Sequence, residues 1–135
     1  MDTSAWFAVA STADACHARA SELLGAHAGR LVTTDHVLVE TWAVAYSRQH
    51  RHAADTLVNH IFEGRLAEVL TATPADITAA LRIGKAFSDQ DFSLIDRTSW
   101  AVMERHEIDQ VISFDIDFAA YRYGPDRRRA FTIHR

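Results

Sequence analysis

Residues 111–118, VISFDIDF, form the stretch that decides the fold of this chain. Its first four residues make an apolar run interrupted only by Ser113, which is typical of a strand buried on both faces. Asp115 follows directly, at the point where a parallel strand ends and ligand sites commonly form. A strand buried in this way needs helices on both faces, so the stretch predicts a layered α/β domain.

Helical and strand patterns alternate ahead of this stretch, which favours a mostly parallel sheet. Predicted helices cover residues 12–28, 34–49, 53–64, 73–87 and 93–105, and predicted strands cover 30–33, 68–71, 111–114 and 131–133. The helix at Thr73 has the clearest start, because an N-cap Thr is followed by Pro74 and by Asp76 three residues after the cap. We therefore expect one three-layer α/β/α domain over residues 1–135, with a central, mostly parallel sheet of four to five strands.

The composition is that of a globular chain. With 48% hydrophobic and 24% charged residues, the 135-residue chain can bury one core and is not of the disordered class. No apolar run is long enough to span a bilayer, and no leader-like segment is expected, so we predict no membrane association. Cys16 is the only cysteine. It cannot form an internal disulfide, and a reducing cytoplasm is the expected location.

The charge is distributed in a way that suits a nucleic-acid enzyme better than a basic binding protein. The formal net charge is −4, which argues against simple electrostatic binding of nucleic acid. When five candidate site acids are left out of the count, 14 basic and 13 acidic residues remain; the five are Asp2, Glu40, Asp96, Asp115 and Asp117. All the basic residues except Lys85 are arginine. The cluster Arg127–Arg129 is either a solvated loop or a phosphate contact, and the sequence leaves both readings open.

Four short motifs place a carboxylate inside or beside an apolar stretch. They are Asp2 in MDTSAW, Glu40 in TTDHVLVETW, Asp96 in FSLIDRTSW and Asp115 in VISFDIDF. Asp115 follows a strand, and Asp2 would share its rim of the sheet if the chain starts as a strand. The other two are predicted in the first turns of helices that begin at the same rim. The fold can therefore bring all four carboxylates together.

Each of these acids alone has an ordinary structural explanation, as a cap, a solvent-facing helix residue, a charge at a helix N-terminus or a polar turn. Together they do not, because two unpaired carboxylates about 5 Å apart repel by about 3 kcal/mol at an effective dielectric near 20. Domains have only about 5–15 kcal/mol of total stability. A fold that gathers four such groups is expected to hold a cation, and the sequence therefore predicts metal-dependent phosphodiester chemistry.

The order of these motifs resembles that of the PIN-domain nucleases, and most closely the VapC-type toxins of prokaryotic toxin–antitoxin modules. The resemblance rests on DTSA from residue 2, the glutamate at 40, SLID ending at 96 and SFDIDF around 115, and it covers nearly the whole chain. It implies that Asp2, Glu40, Asp96 and Asp115, called here the acidic quartet, hold one or two Mg²⁺ or Mn²⁺ ions. It also implies that Asp117 is an accessory acid and metal ligand.

The same resemblance assigns supporting roles and partners. Ser113 falls where the family often carries a small hydroxyl residue that supports the site, and Thr3 or Ser4 is expected to order the first acid. The family implies an endoribonuclease that acts on RNA, a cognate antitoxin that blocks the site, and a homodimer. The apolar face of helix 37–45 and the segment 53–64 are the candidate dimer surfaces.

The family also carries an apolar strand ahead of its first acid. That strand is expected here either from residues 2–9 in a shifted register or from residues upstream of Met1. If the strand is disrupted, the favoured alternative is a non-catalytic PIN-like module that binds RNA or a protein.

Two other enzyme-like or signalling classes fit less well. A receiver-type signalling domain needs paired acids near the start and a lysine at a late strand end, whereas Lys85 is predicted within a helix. A haloacid-dehalogenase-like phosphatase would place its D-x-D after the first strand, whereas Asp115-Ile116-Asp117 comes late. The chain has eight histidines but no H-x-x-x-H pairing with a glutamate between them, and it has no G-x-S-x-G motif.

Overall fold

The computed structural model describes residues 1–135 and contains seven helices and four short strands. The helices are α1 (Thr3–Ala10), α2 (His17–Ala26), α3 (Asp35–Arg48), α4 (Arg51–Phe62), α5 (Pro74–Ala86), α6 (Leu94–Arg105) and α7 (Asp117–Ala120). The strands are β1 (Val32–Thr34), β2 (Glu68–Leu70), β3 (Gln110–Ile112) and β4 (Thr132–His134).

Local capping explains why the long predicted helices form where they do. Thr34, Thr73 and Ser93 cap α3, α5 and α6, and each side-chain oxygen accepts a hydrogen bond from the backbone three residues on. In α5 and α6 an aspartate at the third helical position, Asp76 or Asp96, accepts a hydrogen bond from the backbone N–H of the cap residue and completes a capping box. The predicted helices from residue 34 onward and all four predicted strands are confirmed within a few residues.

The first part of the chain differs from the prediction. Residues 3–10 form helix α1 rather than a strand, because Asp2 is an N-cap whose carboxylate accepts a hydrogen bond from Ser4 N at 3.2 Å. A strand from residues 2–9 in a shifted register is therefore wrong. The next helix begins at His17 and not at residue 12, since Asp14 makes a turn and accepts a hydrogen bond from Cys16 N at 2.8 Å.

The strands are parallel, as expected, but they form two pairs rather than one continuous sheet. In one pair β1 lies beside β2, with Thr33 opposite Val69, and in the other β3 lies beside β4. The two pairs are joined only through the first two residues: Met1 N donates to Val32 O at 2.6 Å, and Asp2 N donates to Ile112 O at 3.1 Å. Helix α1 begins at the next residue, so no ladder can build between β1 and β3.

The core has two main hydrophobic clusters, each built around a fully buried tryptophan. Trp100 of α6 stacks on Tyr121 with ring centroids 4.2 Å apart, and it packs with Phe92, Val111 and Phe131. The other cluster consists of Trp6, Val37, Leu38, Leu57, Ile61 and Ala67. These contacts fix α1, α3 and α6 relative to the strands, and the candidate acids lie on these three helices and just after β3. No helix has the length and apolar character needed to cross a membrane.

Candidate active site

An open cavity of about 500 Å³ brings the predicted site residues together. It is lined by the four members of the acidic quartet and by Asp117, Thr3 and Ser4. We call it the acid cavity. Ser113 lies directly behind it, because this fully buried side chain hydrogen-bonds to three of the lining residues. The convergence predicted from the sequence is therefore what the fold produces.

Asp2 is the most firmly held acid of the quartet. It is buried, and its Oδ2 accepts hydrogen bonds from Ser4 Oγ at 2.8 Å and from Ser113 Oγ at 3.1 Å. Ser113 Oγ in turn accepts a hydrogen bond from Asp115 N at 3.1 Å. One hydroxyl thus fixes the first acid and the backbone of the last, although the two lie 113 positions apart in the chain.

Glu40 is positioned differently from the expectation in two respects. It lies in the second turn of α3, since that helix begins at Asp35, and so it reaches the cavity from the side of the helix rather than from its start. Its Oε2 accepts a hydrogen bond from Thr3 Oγ1 at 2.5 Å. Thr3 therefore orders Glu40, whereas Ser4 orders Asp2.

Asp96 combines a structural and an electrostatic feature. Its Oδ2 accepts hydrogen bonds from Ser93 Oγ at 2.5 Å and from Ser93 N at 3.2 Å, which closes the capping box of α6. Burial is the main cause that raises the pKa of Asp96 to about 6, while the hydrogen bond from Ser93 opposes the rise. The charges of the other three quartet members raise this pKa further. The pKa of Asp96 therefore depends on the charges of the other three quartet members.

The last two acids are coupled to each other. Asp115 Oδ1 accepts a hydrogen bond from Asp117 N at 2.9 Å at the start of α7. Burial raises the pKa of Asp117 above its ordinary value, and the charges of Asp115 and Asp91 add to the rise. Both side chains are half-buried on the wall of the acid cavity.

The free oxygens of the quartet show how the site could bind a cation. In each of the four carboxylates one oxygen accepts a protein hydrogen bond, and the other accepts none: Asp2 Oδ1, Glu40 Oε1, Asp96 Oδ1 and Asp115 Oδ2. No three of these side chains are close enough in this arrangement to hold a metal ion. The donor set itself consists of carboxylate oxygens, which suits a hard divalent cation such as Mg²⁺ or Mn²⁺ rather than zinc.

Four further residues with ionisable side chains line the acid cavity and were not predicted from the sequence: Asp14, Cys16, Arg48 and Asp91. Arg48 could have been found, since Glu40, Val44 and Arg48 are spaced by four along α3 and all three line the cavity. The other three gave no signal, because they lie in turns whose position depends on the tertiary packing.

Comparisons with known proteins cover the stretch that contains all of these acids. The PIN domain family matches residues 1–122. The 23S rRNA-specific endonuclease VapC20 of Mycobacterium tuberculosis, from strains CDC 1551 / Oshkosh and ATCC 25618 / H37Rv, is 31% identical over 120 residues, which is 89% of this chain and 91% of the relative. The crystal structure of Mycobacterium tuberculosis VapC20, a sarcin-ricin loop cleaving toxin, aligns with a TM-score of 0.83 at 30% identity and covers 88% of this chain and 91% of that one.

Proposed function

The chain belongs to the PIN domain family, and on that basis we propose that it is a metal-dependent endoribonuclease and the toxin of a toxin–antitoxin pair. The observation that carries this proposal is the acid cavity, where each quartet member has one oxygen held by the protein and one oxygen free. The reaction is hydrolysis of an RNA phosphodiester bond. Its nucleophile is water, since no histidine or lysine lines the cavity to activate a side-chain nucleophile.

The residues of the quartet would hold one or two divalent ions, Mg²⁺ or Mn²⁺, through their free oxygens, with Asp117 as an accessory ligand. When bound, such an ion supplies Lewis-acid polarisation of the phosphate and a lower pKa for water at the site. The hydroxyls of Thr3, Ser4, Ser93 and Ser113 fix the carboxylates in advance, so less side-chain freedom is lost when a cation and the substrate bind.

Ribosomal RNA is the substrate class that we propose to test first. The curated relatives at 31% identity are 23S rRNA-specific endonucleases, and the aligned crystal structure is of a toxin that cleaves the sarcin-ricin loop. The cavity is open and measures about 500 Å³, which is compatible with a segment of RNA backbone.

We further propose an antitoxin partner, a homodimer and a cytoplasmic location, each by extension from the family. The exposed apolar side chains of Val39 on α3 and Phe62 at the end of α4 lie on the two segments expected to form the dimer surface. Residues 1–135 are proposed to act as one domain, because Phe131 and β4, beyond the matched stretch, belong to the same core cluster and the same strand pairing as α6 and β3.

A second candidate function is a non-catalytic PIN-like module that binds RNA or a protein. Two observations favour it: the strand pairs are joined only through Met1 and Asp2, and no three acids are close enough to hold a metal ion in this arrangement. An apolar crevice of only about 40 Å³ lies between the pairs, lined in part by Val32, Val111 and Phe118. In this alternative the acid cavity would bind RNA or protein without hydrolysis.

The deciding experiment is cleavage of RNA by the purified protein with Mn²⁺ or Mg²⁺ against EDTA. The substrates are an RNA hairpin that carries the sarcin-ricin loop and a mixed RNA of unrelated sequence. Asp96→Asn is the test variant, and Asp109→Asn is its control, because Asp109 is an exposed acid just before β3 and therefore at the opposite end of that strand from Asp115.

The nuclease proposal expects metal-dependent cleavage that is lost in Asp96→Asn and retained in Asp109→Asn. If folded wild-type protein binds the RNA but leaves it intact with either metal, the non-catalytic module becomes the better description.

A further inference from the structure

Arg48 is the only basic residue that lines the acid cavity. Seven carboxylates share that cavity: Asp2, Asp14, Glu40, Asp91, Asp96, Asp115 and Asp117. We infer that Arg48 is the phosphate-binding residue of the site and holds an RNA phosphate neighbouring the one that is cleaved. The inference rests on the proposed function, and it adds a residue that contacts substrate to a site otherwise described only by its acids.

The position of Arg48 follows from the geometry of α3. Glu40, Val44 and Arg48 succeed each other at intervals of four residues and therefore share one face of the helix. Eight helical residues correspond to about 12 Å along the axis, so Arg48 lies at the edge of the cavity while Glu40 lies within it. Arg48 is exposed whereas Glu40 is half-buried, so its guanidinium is better placed for a phosphate that flanks the scissile one.

The guanidinium of Arg48 is held in place without being neutralised. Its Cζ lies 5.2 Å from the centroid of the Phe7 ring, which lines the same cavity. Arg48 makes no ion pair, although seven acids line the cavity, and its side chain donates no hydrogen bond to the protein. The guanidinium of Arg105, in contrast, forms an ion pair with the carboxylate of Asp76, with Nε and Oδ1 2.9 Å apart. The N–H edges of Arg48 are therefore available to a ligand.

The ligand that fits these edges is a phosphate rather than a base. One face of the guanidinium lies over Phe7, so stacking on a base is restricted, whereas the planar fork of N–H groups can bind two phosphate oxygens at once. A polyanion that approaches seven carboxylates is repelled, and a cation at the entrance offsets that repulsion where the strand must pass. Arg48 is placed to provide it.

The test compares Arg48→Ala and Arg48→Lys with the control Arg51→Ala. Arg51 begins the next helix, its side chain is 81% exposed, and it does not line the acid cavity, so its removal changes the net charge equally. We expect Arg48→Ala to raise KM for the sarcin-ricin hairpin about 10-fold with little change in kcat, as for the loss of a charged hydrogen bond. The slope of log(kcat/KM) against log[salt] should become shallower by about 0.7, as expected for one lost contact to a single strand.

Arg48→Lys keeps the charge and loses the fork, so it should restore the salt slope and only part of KM. Circular dichroism and thermal unfolding must show that all the variants fold. If Arg48→Ala matches Arg51→Ala in both KM and salt slope, the inference is overturned.

Binding of the same labelled RNA, measured by fluorescence anisotropy with Ca²⁺ in place of Mn²⁺, separates this inference from the nuclease proposal. It does not require cleavage, so a protein that binds but does not hydrolyse still reports on Arg48. Binding weakened about 10-fold in Arg48→Ala supports the inference. Unchanged binding in that variant, or no binding by the wild-type protein, overturns it.

Discussion

Helices α5 and α6 begin with the same capping-box motif, but the pKa of the capping aspartate is lowered in α5 and raised in α6. In α5 Asp76 caps with Thr73, and in α6 Asp96 caps with Ser93, and both carboxylates are buried. Around Asp76, burial acts to raise the pKa, but hydrogen bonds from Arg105 and Thr73 outweigh it and hold the pKa below its ordinary value. Around Asp96, the neighbours are other carboxylates, and the pKa rises to about 6.

The two aspartates differ in whether the protein itself uses both of their carboxylate oxygens. Asp76 receives two hydrogen bonds from the Arg105 guanidinium, at 2.9 and 3.0 Å, so both of its oxygens are used inside the protein. Asp96 keeps Oδ1 free and faces the acid cavity without any basic partner. The capping motif stabilises each helix start, and the partner on the next element decides the role of the charge.

The largest expected effect is on cleavage. Asp96→Asn removes the charge of a proposed metal ligand and should lower the metal-dependent rate at least about 100-fold, whereas Asp76→Asn should keep the rate within about 3-fold of wild type. Initial rates on the sarcin-ricin hairpin at saturating Mn²⁺ measure both. Equal losses of cleavage rate in Asp96→Asn and Asp76→Asn would mean that the two capping aspartates do not differ in function.

A smaller effect is expected on stability at the other box. Arg105→Ala leaves the buried Asp76 without its partner, and since the arginine side chain is 37% exposed the cost should be about 2–3 kcal/mol, below the range for fully buried pairs. Urea unfolding measures it, with the exposed Arg82→Ala on α5 as the control. A loss no larger than that of the control would show that water replaces the pair at little cost.

In the metal-free protein, the contributions of Asp96 and Asp76 to the unfolding free energy should change with pH in opposite directions. Asp96 holds its proton more tightly when folded than when unfolded, so rising pH from about 4 to about 6 should lower the unfolding free energy by about 2 kcal/mol. Asp76 acts in the acid range: its contribution is present above the ordinary aspartate pKa near 4 and is lost as pH falls below that.

Urea unfolding in EDTA at a series of pH values tests this pattern. The difference in unfolding free energy between wild type and Asp96→Asn isolates the contribution of Asp96. If the difference in unfolding free energy between wild type and Asp96→Asn does not change between pH 4 and 6, burial and neighbouring charges do not raise the pKa of Asp96.

The smallest effect expected is that of the hydroxyl behind the cavity. Ser113→Ala removes the hydrogen bond to Asp2 and the acceptor for Asp115 N, and it should lower cleavage about 10-fold while the fold is kept. Ser47→Ala, an exposed serine on α3, is the control. If Ser113→Ala cleaves RNA as fast as the control, the hydroxyl does not position the acids.

The sequence could predict features whose causes are local. Thr73 and Asp76 lie three residues apart, and so do Ser93 and Asp96, so both capping boxes and the helices that they begin could be predicted from spacing alone. The acids of the quartet were found for a related reason, because each interrupts or borders an apolar stretch. The PIN-like motif order then placed them in one site.

What the sequence could not show depends on contacts between distant segments. The bond from Thr3 to Glu40 spans 37 positions, and the pairing of Arg105 with Asp76 spans 29. Helix α1 was missed because Asp2 was expected at a strand end, although Asp-Thr-Ser is also an N-cap sequence. The division of the strands into two pairs follows from that helix and has no signature within β1 or β3 themselves.

The most direct test of the account is calorimetric titration of Mn²⁺ into the wild-type protein, Asp96→Asn and Asp76→Asn at neutral pH. We expect wild type and Asp76→Asn to bind the ion with similar affinity, and Asp96→Asn to bind it at least about 10-fold more weakly. This expectation would be contradicted by a folded wild-type protein that does not bind Mn²⁺, or by an Asp96→Asn variant that binds it as tightly as Asp76→Asn.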